Sequence, residues 1–332
     1  ITLSTLKSSI VLDNIYLGAD TSSWKAKKQP FIYNVSSPQL VIKNLDLVKL
    51  YNEQVLNIDE FILKKPIINI YQQAKKRNDS IKKENTLTKI RLPRNVKKLN
   101  LKLINIDSGR IFIHKRNKEN INTFINSDFN LIVNDFIIDS VSYFKQNPYL
   151  IPAKGFQISL FDFIFKLPDS LHILTAEKAV LSSESGILDL FELKFSHKEM
   201  SHKYNVLKRR RKSLLTDVSV PLLKVSGLRY DKLISDRKLI FNKLDINNPI
   251  LNFEIYAVTK KDSSKKEFKL KNLDLYKLVK KNTDEIKGTK LNINNVSLNI
   301  KTFGKSKNQN ISFNNIYAYI SGLHIDSTTN II

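Results

Sequence analysis

Residues 35–69 read VSSPQLVIKNLDLVKLYNEQVLNIDEFILKKPIIN, and residues 218–252 read VSVPLLKVSGLRYDKLISDRKLIFNKLDINNPILN. Laid over each other without gaps, they match at Val35-Ser36 and Val218-Ser219, Pro38 and Pro221, Leu40 and Leu223, and Leu45 and Leu228. The matches continue at Lys49-Leu50 and Lys232-Leu233, Leu56 and Leu239, Pro66-Ile67 and Pro249-Ile250, and Asn69 and Asn252. Other apolar positions agree in kind. An internal repeat of this length decides the architecture, because each copy must fold the same way.

Outward from this block, both copies run into a Lys-rich polar stretch, residues 72–85 in one and 259–267 in the other. Strand pattern resumes at residues 99–103 and 291–293, and the copies close on Ile138-Asp139-Ser140 and Ile325-Asp326-Ser327. Upstream, Val11-Leu12-Asp13 with Leu17 resembles Ile187-Leu188-Asp189 with Leu193. The repeat unit is therefore about 180 residues long, and the chain divides into residues 1–172 and 173–332, continuous with each other and expected to belong to a longer protein. The chain starts at Ile1 and ends at Ile332, so a targeting or anchoring segment is expected elsewhere.

Within each copy, Ile, Leu, Val and Phe alternate with Asn, Lys, Ser and Asp, the period-two signature of strands with one dry and one wet face. The expected fold is all-β with a few short helices: an extended, repeat-built, curled antiparallel sheet forming a groove. Many short strands joined by tight turns are expected, among them residues 99–106, 110–114, 129–133, 158–165, 250–255, 291–300 and 311–320. Pro66 and Pro249 each begin a strand, where a missing N–H is tolerated. Short helical turns are expected at 45–51 and 228–234, and a longer helix at 273–281 capped by Asn272, with Leu275, Leu278 and Val279 on one face.

Composition excludes several kinds of chemistry. There are no cysteines, so disulfides and thiolate metal sites are absent. Glycine is low at eight residues, which argues against phosphate-cradling loops. The five histidines, His114, His172, His197, His202 and His324, lack metal-ligand spacing. No nucleophile-elbow, zincin or P-loop pattern occurs, and the expectation is a protein that is not an enzyme, with no cofactor and no metal. A net charge of +24 favours acidic partners. The densest basic run, Lys208, Arg209, Arg210, Arg211 and Lys212, reads as a headgroup or anionic-surface contact, or as an exposed loop between repeats. Tyr204 is its one aromatic neighbour, so nucleic acid is not the expected partner.

A long sheet with one apolar face must cover that face, and a bare one is an aggregation hazard. Acyl chains suit such a groove. The apolar candidates to line it are Leu99, Leu101, Leu103, Phe129, Leu131, Val133, Phe161, Phe163, Phe165, Leu251, Phe253, Leu291 and Ile293. Phe161, Phe163 and Phe165 fall on one face of a regular strand. The other reading of the same residues is a closed core, with the protein acting as a structural scaffold or interaction subunit of an envelope or secretion assembly.

The order of elements, a short apolar helical turn, a strand, a Pro-initiated strand, a Lys-rich loop and a Leu-Tyr helix, runs through residues 45–71 and again through 228–279, including Leu275-Tyr276. With residues 161–195, containing Leu167-Pro168-Asp169-Ser170-Leu171-His172, it resembles the AsmA-like proteins of bacterial envelopes, of TamB and YhdP type. The eukaryotic bridge-like lipid-transfer proteins are similar in architecture. The resemblance covers most of the chain and implies a periplasmic β-groove that conducts phospholipid tails between membranes. It also implies an inner-membrane anchor outside this chain, phospholipids as partners and as the one bound non-protein component, and contacts with envelope proteins.

Overall fold

The structure, a computed structural model, describes residues 2–4, 8–18, 31–73, 92–116, 121–139, 152–167, 171–197, 202–210, 213–256, 283–304 and 308–326. The expected helix at 273–281 lies outside the described residues. Two compact units are present: Ile1–Ile164 with Val180–Glu184, and Phe165–Ala179 with Ser185–Ile332.

The fold is all-β with a few short helices. In the first unit the strands are β1 (Thr2–Ser4), β2 (Ser9–Gly18), β3 (Phe31–Lys43), β4 (Val55–Lys64), β5 (Ile67–Gln73), β6 (Lys98–Arg116) and β7 (Ile121–Asp139). β8 (Ala153–Lys166) and β9 (His172–Ser182) contribute residues to both units. The second unit holds β10 (Ile187–His197), β11 (Leu214–Ser226), β12 (Lys238–Asn247), β13 (Ile250–Tyr256), β14 (Glu285–Phe303) and β15 (Asn308–Ile325).

In the first unit β3 lies between β2 and the β4–β5 line, and β6 lies between that line and β7. β4 and β5 together act as one strand broken at Lys65-Pro66: both pair antiparallel with β3 and parallel with β6. The second unit repeats every one of these pairings with β10 to β15. The sheets are therefore mixed, whereas antiparallel pairing was expected throughout. The cause is the connection: residues 74–97 and 257–284 separate β5 from β6 and β13 from β14, long enough for the crossover that parallel neighbours need.

Parallel, in-register pairing also explains the abundant asparagine. Asn294 donates to Asn247 (2.9 Å), Asn295 to Asn248 (2.9 Å), Asn299 to Asn252 (2.9 Å) and Asn292 to Asp245 (2.6 Å). In the first unit Asn100 donates to Asn57 at 2.7 Å. Such bonds contribute about 0.5–1.5 kcal/mol each.

The strands are long rather than short. The expected strands at 99–106 and 110–114 are two halves of β6, and Asp107-Ser108-Gly109 is a bend within it. The helices expected near 45–51 and 228–234 are α1 (Leu47–Glu53) and, after α2 (Lys203–Arg210), α3 (Tyr230–Asp236). Asp46 caps α1 by accepting from the Lys49 N–H at 2.9 Å, and Gln54 and Arg237 end α1 and α3 in the left-handed conformation. The equivalence extends to single bonds. Leu45 N donates to Ser8 O at 3.0 Å, and Leu228 N to Gly186 O at 2.8 Å. The upstream echo seen in sequence is real but slips by two residues: Leu12 faces Leu40, and its counterpart facing Leu223 is Leu190.

Candidate functional site

Residues directly opposite one another in a ladder share a face of the sheet, so the registers assemble cross-strand rows. In the first unit Leu12, Leu40, Leu63, Ile106 and Leu131 form one row across five strands, and Ile10, Ile42, Phe61, Ile104 and Val133 form the next. Leu56, Leu99 and Ile138 form another, and so do Ile58, Leu101 and Phe136. In the second unit the corresponding rows are Leu190, Leu223, Ile246, Ile293 and Ala318, and Leu188, Val225, Leu244, Leu291 and Ile320. No charged residue interrupts these rows.

On the other face, the row between the two five-strand rows is Asp189, Lys224, Asp245, Asn292 and Tyr319 in the second unit. In the first unit it is Val11, Val41, Ile62, Asn105 and Ile132, and the polar, paired rows flank it. Gln39 donates to Asp13 (3.0 Å), and Lys64 to Gln39 (2.8 Å). Lys43 meets Glu60 at 2.7 Å, Arg110 meets Asp128 at 2.6 Å, and Lys243 meets Asp245 at 2.8 Å. The hydrogen bond from Lys102 holds the Asp59 carboxyl below its ordinary pKa, and that from Arg110 does the same for Asp128.

Period two alone would not keep the apolar set on one face. In β4–β5 the apolar set steps from Leu63 to Ile68 and in β6 from Ile106 to Ile111, odd steps that reverse the phase, while Lys64, Ile67, Asp107 and Arg110 are all exposed. The reversal coincides with left-handed residues on neighbouring strands: Asn14 in β2, Lys65 before β5 and Ser108 in β6. The second unit places Glu192, Asn248 and Asn295 at the same points. A second line of bends passes through Asp135 and, correspondingly, Gly322. Left-handed backbone re-aims a strand and raises its local twist, as at a bulge.

The candidate lining residues can now be placed. Leu99, Leu101, Leu131, Val133, Leu291 and Ile293 lie in the apolar rows given above. Phe129 packs its ring over Gly109, where a methyl group would come within 2.6 Å of it. Leu251 stands in a row with Val218, Leu298 and Phe313, and Phe253 with Thr216, Ile300 and Ile311. Leu103 is brought elsewhere: it pairs with Glu60 and Asn134, in the row that contains Lys43. Phe161, Phe163 and Phe165 are half-buried, and Asp162 between the first two is left-handed, so plain alternation does not run through this strand. Leu101, Phe129 and Val133 are buried, and the other candidates are only half-buried.

Sequence reading missed the contributions of β2, β3, β4, β10, β11 and β12, such as Phe61 and Leu244. The signal was present: Leu40 and Leu223 match across the repeat.

The basic run is not a loop at its start. Lys208 and Arg209 are exposed on α2, while Arg211 and Lys212 lie outside the described residues, as does the Arg210 side chain. Leu207 of α2 is fully buried against Leu215 and Tyr256, and Lys203 bonds Glu254 at 3.0 Å. Leu215 and Glu254 face each other in a row that alternates with the Thr216–Phe253 row, so α2 covers the face opposite Phe253.

Four of the histidines make local structural contacts. His114 bonds Thr123 (2.9 Å) and Asn69 (3.0 Å) and stacks on Tyr71, and burial lowers its pKa. His197 bonds Asp217 at 2.8 Å, His172 stacks on Phe195, and His324 bonds Glu285 at 3.1 Å. Among the described residues no group of three His, Asp or Glu could hold a metal, and no helix is long and apolar enough to cross a membrane. No protein-family model matches the chain, and no curated protein matches it.

Proposed function

We propose that the apolar rows of each unit hold the acyl chains of phospholipids, and that the chain is a lipid-conducting segment of an AsmA-like envelope protein in the bacterial periplasm. The observation that carries this reading is the pair of uninterrupted apolar rows across five strands, present in both units and mostly half-buried. A core-forming face would show full burial, whereas most of these side chains retain accessible surface. Covering each methylene of an acyl chain contributes about 0.8 kcal/mol, so a two-chain lipid needs no specific polar contact. Rows repeated along the strands offer near-equivalent positions, between which a tail slides at little cost. The resemblance in element order to AsmA-like proteins supports the same reading. The basic residues of α2 are left out of it, because α2 sits on the opposite face.

The test is native mass spectrometry and lipid extraction of the full chain purified under gentle conditions, with a delipidated control. The expected result is phospholipid-sized mass increments, and an apolar fluorescent dye that binds only after delipidation. A lipid-free protein that also excludes the dye would overturn the reading and leave the apolar faces as closed core.

A further inference from the structure

β15 and β7 are the same strand of the repeat. Ile106 pairs with Leu131 and Ile293 with Ala318, and the register breaks immediately afterwards at the same place, between Ile106 and Gly109 in one unit and between Ile293 and Val296 in the other. Yet their outer edges differ. The edge of β7 is occupied by β8: Ile137 N donates to Pro152 O at 2.7 Å, and Ser127 Oγ donates to Phe161 O at 2.8 Å, an antiparallel arrangement. Among the described residues β15 pairs with β14 alone.

The composition of β15 is the reverse of what a water-facing edge carries. Edge strands are ordinarily protected by Lys, other charges or Pro. In a chain with 55 Lys and Arg and 31 Asp and Glu, the 18 residues of β15 contain none of these and no Pro. Its large side chains are open to solvent, Tyr317 at 68 % and Tyr319 at 63 % exposure, with Phe313 at 50 %. An 18-residue strand without charge would template aggregation if its edge were left bare.

We infer that the free edge of β15 is a strand-addition site whose partner is an antiparallel β-strand of the β8 kind, an extended segment alternating large apolar and polar residues. The repeat itself identifies the occupant, because the equivalent edge in the first unit carries such a strand. Main-chain hydrogen bonds give the affinity of this mode, and alternating side chains give its specificity. The inference stands apart from the lipid reading.

The test uses the full chain and a synthetic peptide with the sequence of residues 153–166, read by hydrogen–deuterium exchange over residues 308–325. The control peptide carries Ile158→Pro and Phe161→Pro. These positions are an odd number of residues apart and both precede the left-handed Asp162, so one of them removes an N–H that faces the edge in either register. The expected result is slowing of β15 exchange by about tenfold or more with the first peptide and none with the second. Equal exchange with and without the first peptide would overturn the inference. So would β15 amides already protected in a dimer of the free protein, since the occupant would then be a second copy. A Tyr317→Lys, Tyr319→Lys variant changes only exposed side chains and is expected to weaken peptide binding while exchange in residues 285–303 stays as in the parent. Unchanged peptide binding by this variant would place the peptide elsewhere and overturn the inference.

Discussion

The backbone N–H of Lys65 donates to the carbonyl oxygen of Asp107 at 2.7 Å, and the next hydrogen bond across the same two strands, from Arg110 N to Pro66 O, is also 2.7 Å. Pro66 has no N–H to offer, so the ladder passes the proline through its carbonyl alone. In the second unit Asn248 N donates to Asn294 O and Ser297 N to Pro249 O, each at 2.9 Å. The bend is therefore built into both copies, and Lys65 and Asn248 each pass through it with positive φ, 44° and 51°. The two strands change phase together and remain hydrogen-bonded, which keeps the apolar rows aligned on both sides of the bend.

Left-handed backbone costs a residue with a Cβ roughly 1–2 kcal/mol, and glycine escapes that cost. Lys65→Gly is accordingly expected to raise the urea midpoint modestly, and Lys65→Val to lower stability by about 1–2 kcal/mol, since β-branching tolerates positive φ least. Circular dichroism during urea unfolding checks both. If Lys65→Val proves harmless, the bend does not depend on this conformation.

The bends mark the limit of what the sequence disclosed. The repeat, the strand-rich pattern and the matched helices α1 and α3 could be read from aligned leucines and prolines. Asp107-Ser108-Gly109 and Lys65-Pro66 carry the composition of turns, and the same residue types serve a kink in a continuous strand. Alternation counted through Lys102 therefore put Leu103 with Leu101, whereas its partners are Glu60 and Asn134. The start of the basic run gave no helical signal, because among the described side chains of α2 Leu207 alone is fully buried. The parallel pairings were legible in principle from the long Lys-rich connections, which leave room for a crossover.

Gly288 is expected to resist enlargement for a different reason from Gly322. A methyl group at Gly288 would collide with the Phe241 ring, which is 3 % exposed, whereas one at Gly322 meets nothing within 4 Å. Gly288→Ala should cost about 1–3 kcal/mol by overpacking, with part of the loss recovered in Gly288→Ala, Phe241→Leu. Gly322→Ala, at φ 68°, should cost only the backbone penalty, about 1–2 kcal/mol. Thermal unfolding of these three variants and of Phe241→Leu alone separates the cases. Additivity of Gly288→Ala and Phe241→Leu in the double variant would show that ring and glycine do not interact.

The attachment of α2 is expected to weaken in acid. Burial alone would raise the Glu254 pKa, but hydrogen bonds from Lys203 (3.0 Å) and Tyr256 (2.8 Å), with the Lys203 charge, hold it below the ordinary value. A depressed carboxylate pKa contributes stability above the unfolded value, about 4.3, and that contribution disappears as pH falls through the folded value. Glu254→Gln should be about 1 kcal/mol less stable at neutral pH and less sensitive to acid below about pH 5. Identical acid profiles for parent and variant would show that the Lys203–Glu254 contact contributes nothing.

The proposed lipid face makes a positional prediction on a single strand. Leu131 stands in the row Leu12–Leu40–Leu63–Ile106, whereas Ile137, 46 % exposed, stands opposite Asn100 in a polar row. The two side chains are similar in size and lie six residues apart on β7, so replacing either by Gln removes comparable apolar surface from the same element. Leu131→Gln should reduce co-purifying phospholipid several-fold, because a tail against that row loses methylene contacts worth about 0.8 kcal/mol each and faces an amide that it cannot satisfy. Ile137→Gln should leave the lipid content unchanged. Quantitative lipid extraction, normalised to folded protein, makes the comparison. Equal losses from both variants would indicate that lipid follows general apolar exposure, and loss from Ile137→Gln alone would place the tails on the opposite face.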